Sequence, residues 1–130
     1  MDEVDVLAVI GTCAPERARY AARLAAASGR VLFPAQRLGM APDPVDEAVG
    51  LVPWTDRTAG AVCEFPTMTM PTRLIGALAD EESRISLTGI VCVADAAHLL
   101  DDLQRDHYLA RTRLGPLGAS TEYLAHAVLT

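Results

Sequence analysis

The chain alternates short, continuously apolar runs with segments in which apolar residues recur at helical spacing. A continuous apolar run is typical of a strand covered on both faces. The pattern predicts four such strands, over residues 4–10, 30–33, 59–65 and 87–93. Because helical segments separate them, the chain is expected to form an α/β fold with a mostly parallel sheet.

The first predicted helix begins at Pro15 and ends before Gly29. Proline is favoured in a first helical turn, and glycine just past a helix end. Alanines, Tyr20 and Leu24 form the apolar face that we expect to be buried. The residues expected on the outer face are Arg17, Arg19 and Arg23.

Further helices are predicted over residues 71–79, after Asp95 and after Ser120. In the first of these, the residues expected to face inward are Leu74, Ile75 and Leu78. Four prolines interrupt residues 34–58, where the pattern supports only one or two helical turns at 45–49. Trp54 is expected to be partly buried, with its indole N–H hydrogen-bonded.

These elements predict a three-layer α/β fold with about four strands and helices on both faces of the sheet. The length of 130 residues predicts a single domain over residues 1–130. The cysteines at 13, 63 and 92 lack the paired spacing of a zinc site, and their odd number is typical of reduced cytosolic thiols. The acidic Met-Asp-Glu start is unlike a signal peptide, so we expect a cytoplasmic location.

The net charge of the chain excludes some classes of binding partner. The formal net charge is −6, which argues against nonspecific binding to nucleic acid or to anionic membrane surfaces. Aromatic residues make up 5% of the chain, too few for a single-strand stacking platform. No apolar run approaches the ~20 residues that a membrane span needs.

The turn after the first strand occupies the place of a phosphate-binding loop. That motif reads Gly-x-x-x-x-Gly-Lys-Ser/Thr. Gly11 matches its first position, whereas Glu16, Arg17 and Ala18 replace the second glycine, the lysine and the magnesium-binding hydroxyl. We therefore expect no tight nucleoside triphosphate binding, because Glu16 repels phosphate and Ala18 cannot hold magnesium.

The segment from Gly60 to Leu103 resembles the CobW family of P-loop GTPases. The similar stretches are a strand ending in Glu, a proline before a helix, a strand ending in Asp-Ala, and the helix after it. In this sequence they are Ala61-Val-Cys-Glu64, Pro71 before Leu74-Ile75, Val91-Cys-Val-Ala-Asp95-Ala96 and His98-Leu-Leu-Asp-Asp-Leu103. The resemblance implies a P-loop NTPase-like sheet with its strands in the order second, third, first, fourth.

The chain also departs from that family. Residues 33–58 contain no cysteine or histidine, whereas the family carries a Cys-x-Cys-Cys metal motif there. The Asn-Lys-x-Asp base-recognition motif is missing too, so the resemblance implies a degenerate and C-terminally shortened member. Glu64 matches the family's magnesium-shell glutamate. The resemblance thus implies the fold, but GTPase activity is not expected.

Two hypotheses of different class follow. The first is a non-catalytic CobW-like protein that acts through protein contacts, in metal homeostasis or a ribosome-linked stress response. The second is an enzyme or nucleotide-binding protein with an altered site at the carboxyl ends of the strands, and small-molecule carriage in the same crevice is a third. The residues of that remnant cofactor site are Gly11, Thr12, Arg17, Glu64 and Asp95.

We expect no catalytic residue, no metal and no bound cofactor. The fourth strand has no charge or proline between Leu87 and Val93. An uncovered apolar edge of this kind pairs with another strand. A homodimer is therefore predicted, through that edge or through the last helix, unless the last helix folds back over the edge and leaves a monomer.

Overall fold

The computed structural model describes residues 3–55, 59–80, 84–94 and 96. Four strands form the sheet: β1 (Val4–Gly11), β2 (Val31–Phe33), β3 (Ala61–Glu64) and β4 (Ile85–Val93). Four α-helices connect them: α1 (Ala14–Ser28), α2 (Ala35–Leu38), α3 (Pro44–Leu51) and α4 (Pro71–Leu78). A 3₁₀ turn, Val52–Trp54, continues from α3.

The sheet is parallel throughout, with the strand order β2-β3-β1-β4. This confirms the predicted α/β class, and the order is the one expected from the resemblance. β1 and β3 lie inside the sheet, and both are almost entirely buried. Their continuous apolar sequence is therefore explained by cover on both faces.

Each face of the sheet has its own core. Alternate residues of β1, among them Val6 and Ile10, pack with Leu38 of α2, Ala48 of α3 and Leu74 of α4. The opposite face packs against α1, and its core residues are Val9, Val62, Ala21 and Ala25. Helices on both faces make the three layers predicted from the sequence.

β4 contains an irregularity that keeps it in register with this core. Val6 pairs with Leu87 and Leu7 pairs with Gly89, so Thr88 is an extra residue between two paired positions. A bulge of this kind shifts the alternation of side chains by one. As a result, Leu87 before the bulge and Ile90 after it both pack against the α2–α4 side.

Gly29 ends α1 as predicted, with a φ of 69° and its N–H bonded to the carbonyl of Ala25. Residues 34–55 are more ordered than the sequence indicated. Asp43 caps α3 by accepting hydrogen bonds from the N–H groups of Val45 and Asp46, at 3.1 and 3.3 Å. Three of the four prolines that weakened the helical pattern stand at helix starts. Pro34 is the N-cap of α2, while Pro44 and Pro53 lie in the first turns of α3 and of the 3₁₀ turn, where proline is tolerated.

Three side chains predicted to face inward do not. Trp54 was expected to be partly buried, but 88% of it is exposed. Tyr20 and Ile75 were expected on buried helix faces, and both are exposed. The small residues Ala21 and Ala25 line the buried face of α1 instead, because they let the helix lie close to the sheet.

The predicted helices after Asp95 and after Ser120 lie outside the described residues. Among the residues that are described, no helix is both long and apolar enough to cross a membrane.

Candidate functional site

The candidate site lies where β1 and β3 end. The carboxyl ends of parallel strands meet at one edge of a sheet, and α/β proteins bind ligands outside that edge. β1 ends at Gly11 and β3 ends at Glu64, while Arg17 lies in the first turns of α1. The structure brings these three predicted site residues into direct contact.

Arg17 is the centre of the hydrogen-bond network at this edge. Its Nε donates to Glu64 Oε2 at 2.7 Å. Its Nη1 donates to the Gly11 carbonyl at 2.8 Å and to Thr67 Oγ1 at 3.0 Å. The other carboxylate oxygen of Glu64, Oε1, accepts from the Ala35 N–H at 3.1 Å. The pair therefore ties together β1, α1, β3, the start of α2 and the loop after β3.

The ion pair is buried. Arg17 is 4% exposed and Glu64 is 3% exposed. The prediction that Arg17 lies on the outer face of α1, with Arg19 and Arg23, was wrong. A helical pattern read alone places a charge in solvent, but Glu64, 47 residues later, supplies the opposite charge that allows burial.

The backbone structure explains why glycine occupies position 11 without any role in phosphate binding. Its φ is 149°, a value that residues with side chains rarely adopt. A Cβ at this position would lie 2.2 Å from the backbone oxygen of Val93 in β4. Glycine is therefore required for β1 and β4 to pair at their ends, so the one residue that matches the phosphate-loop motif is also demanded by the sheet.

Pro15 removes one of the N–H groups that the start of α1 would otherwise present to a ligand. The Arg17 N–H makes the first hydrogen bond of the helix, to the carbonyl of Cys13 at 2.9 Å. Glu16 places a carboxylate in the first turn, where it is favoured by the helix dipole, and pairs with Arg19 at 3.1 Å. A phosphate approaching this turn would meet that negative charge.

The other two predicted site residues are less informative. Thr12 follows Gly11 and is buried. Asp95 lies outside the described residues, so its place relative to Glu64 stays a prediction.

A cleft of about 340 Å³ opens beside the ion pair, between the starts of α1 and α2. Its apolar lining consists of Ala14, Pro15, Ala18, Pro34 and Ala35. Its polar lining consists of Arg17, Gln36 and Glu64. The cleft thus combines an apolar wall with a small number of polar groups, as small-molecule sites do.

The cysteines are thiols and do not form a disulfide. Burial raises the pKa of Cys63, next to Glu64 in β3, to about 12. Burial also raises the pKa of Cys92. Both thiols are therefore protonated near neutral pH and are poor nucleophiles. Cys13 is buried at the N-cap position of α1.

Within the described part of the chain, no three histidine, cysteine or acidic side chains cluster as metal ligands. His98, His107 and His126 lie outside that part. The expectation that the chain holds no metal therefore stays a prediction.

Sequence reasoning missed three contributors to this edge: Thr67, the Ala35 N–H and Gln36. Thr67 follows β3 in a proline-containing loop, which is a recognisable place for a site residue. The roles of the Ala35 N–H and Gln36 depend on where α2 begins, and the prolines had obscured that helix.

Comparisons of the chain with protein-family models, with curated proteins and with solved structures find no match.

Proposed function

We propose that this chain is a non-catalytic, CobW-like protein that acts through protein–protein contacts, in metal homeostasis or a ribosome-linked stress response. The observation that carries the non-catalytic part is the buried Arg17–Glu64 pair. Arg17 stands at the position of a phosphate-loop lysine, and its Nε and Nη1 groups are engaged with protein oxygens. A guanidinium held in this way has little freedom to move so that it contacts a phosphoryl group during transfer.

Glu64 supports the same proposal. In the family that the chain resembles, this glutamate belongs to the magnesium shell. Here both of its oxygens accept protein hydrogen bonds, from Arg17 and from the Ala35 N–H. Using it for magnesium would break a buried ion pair, which costs about 3–5 kcal/mol when one partner is left alone.

We expect GTP and ATP, with or without Mg²⁺, to leave the melting temperature unchanged to within about 1 °C. A ligand at 100 times its dissociation constant adds about 2.7 kcal/mol to the free energy of unfolding. In a domain of this size such a gain raises the melting temperature by several degrees, roughly 6–15 °C. Differential scanning fluorimetry measures it, and an upward shift of that size with either nucleotide contradicts the proposal.

The first protein contact that we propose is with a second copy of the chain. β4 pairs with β1 on one side and is the last strand of the described sheet. It runs for nine residues without a charge or a proline. An edge of this kind can pair antiparallel with its symmetry mate, which gives a closed, isologous dimer.

We expect multi-angle light scattering at tens of micromolar to give twice the chain mass of 13.8 kDa. Thr88 is exposed at the bulge of β4, so Thr88→Lys places a charge on the edge without removing a core contact. This variant should be a folded monomer. The matched control, Thr72→Lys on the exposed side of α4, should remain a dimer. A wild-type mass of 13.8 kDa would rule out the dimer.

The cleft beside Arg17 favours a second candidate function, small-molecule binding at the carboxyl ends of the strands. It differs from the dimer proposal in both the surface and the partner it involves.

A further inference from the structure

Arg17 has donor groups that the ion-pair network does not use. Its Nε and Nη1 donate to Glu64, Gly11 and Thr67. The structure records no hydrogen bond from its Nη2 to any residue that it describes. The side chain as a whole is 5% exposed, so a donor on it has little contact with bulk solvent. Buried donors are nearly always satisfied, by protein, by water or by a ligand.

The cleft supplies a place for an acceptor that none of the described residues provides. Arg17 and Glu64 form part of its lining, and methyl groups and proline rings form most of the rest. Because Nε and Nη1 donate to protein oxygens, we take Nη2 to be the donor that Arg17 presents to the cleft. An oxygen that enters the cleft can then accept from Nη2, while the apolar part of the same molecule packs against Pro15 and Pro34. Gln36 is exposed at this cleft and offers an amide that can both donate and accept.

Charge decides which kind of acceptor fits. Glu64 lies 2.7 Å from Arg17, so the buried pair has no net charge. A phosphate or carboxylate placed beside it would bring an uncompensated negative charge, because Glu64 already balances Arg17, and it would lose its own hydration. A neutral carbonyl oxygen needs a single donor and carries a much smaller desolvation cost.

We infer that this cleft is a binding site for a small, apolar molecule that carries a neutral carbonyl group, such as an amide, with the carbonyl accepting from Arg17 Nη2. The cleft and the β4 edge share no residues. Ligand binding at the cleft can therefore fail while the dimer forms, and the dimer can fail to form while the ligand binds.

Three probes that share a phenyl ring test the choice of head group: benzamide, benzoate and phenyl phosphate. We expect benzamide to bind with a dissociation constant of about 1 mM, as is usual for a ligand of this size. Benzoate should bind more weakly and phenyl phosphate at least about tenfold more weakly than benzamide. A ¹⁵N NMR titration of the full chain measures all three, with saturable shifts expected at the amides of Ala14, Ala18 and Gln36.

Ala18→Leu tests the location of the site. Ala18 is exposed, lines the cleft and takes no part in the ion-pair network, so leucine narrows the cleft without disturbing the fold. This change should weaken benzamide binding about tenfold or more, since it removes the space for the ring. The matched control is Ala22→Leu, one turn further along α1 and exposed outside the cleft, which should leave the affinity within about twofold.

Three results would overturn the inference. The first is the absence of saturable shifts with benzamide up to about 20 mM, which would mean that water satisfies Nη2. The second is tighter binding of phenyl phosphate than of benzamide, which would indicate a retained phosphate site. The third is unchanged benzamide affinity in Ala18→Leu, which would place the ligand elsewhere.

Discussion

Replacing Arg17 with alanine should lower the free energy of unfolding by about 3–5 kcal/mol, because the change leaves the Glu64 carboxylate buried without its counter-charge. Among the residues that the structure describes, the Ala35 N–H would be the one remaining donor to Glu64. The Gly11 carbonyl and the Thr67 hydroxyl would lose their shared donor as well. Urea denaturation followed by circular dichroism measures the loss.

The matched control is Arg19→Ala, two residues later on the same helix. Arg19 pairs with Glu16 at 3.1 Å, but its side chain is largely exposed. Exposed pairs contribute about 0–1 kcal/mol, so this variant should stay close to wild type. If both alanine variants lose the same small amount, the Arg17–Glu64 pair is not buried in solution.

A double variant, Arg17→Met with Glu64→Leu, distinguishes the cost of an unpaired buried charge from the net contribution of the ion pair to stability. It removes both charges and keeps apolar volume, a change that is often near neutral for a buried pair. We expect the double variant to lose less stability than Arg17→Ala alone. A loss larger than that of the single variant would mean that the network stabilises the fold beyond the cost of an unpaired charge.

Replacing Gly11 with alanine should cost about 3–5 kcal/mol in the free energy of unfolding, from backbone strain and overpacking together. The new Cβ would meet the backbone oxygen of Val93 at 2.2 Å, and neither strand can move without breaking the pairing of β1 with β4. The φ of 149° adds strain for any residue with a side chain. Thermal and urea unfolding of the variant measure the combined loss.

Gly76→Ala is the control for this substitution. Gly76 lies within α4, and a Cβ there would meet nothing within 4 Å. Alanine should therefore stabilise the protein by about 0.5–1 kcal/mol through helix propensity. A Gly11→Ala variant as stable as wild type would show that the ends of β1 and β4 are not packed as described.

Gly11 also shows what a motif match can and cannot establish. Gly11 agrees with the first position of a phosphate loop, and the sequence offers no other reason for it. Its contact with Val93 supplies that reason, because β4 approaches the end of β1 from a point 82 residues later in the chain. A matched position is therefore weaker support for phosphate binding once the sheet itself requires glycine there.

Local patterns predicted the parts of this protein that depend on local physics. Continuous apolar runs located all four strands to within about two residues, because burial on both faces leaves no polar positions. Gly29 was predicted to end α1 because a left-handed cap favours glycine. The α/β class followed from the alternation of these elements.

Features that depend on contacts between residues far apart in the sequence were determined only by the tertiary structure. Arg17 lies on a helix with Arg19 and Arg23, and nothing within that helix distinguishes it from them. Its burial depends on Glu64 at the end of another strand, and on the strand order that brings the two ends together. The bulge at Thr88 is similar, since the alternation of β4 changes phase in order to keep Leu87 and Ile90 on one face. Charge and periodicity can be read from single segments of the sequence. The counter-charge that allows Arg17 to be buried, and the neighbouring strand that sets the register of β4, are determined only when the segments pack together.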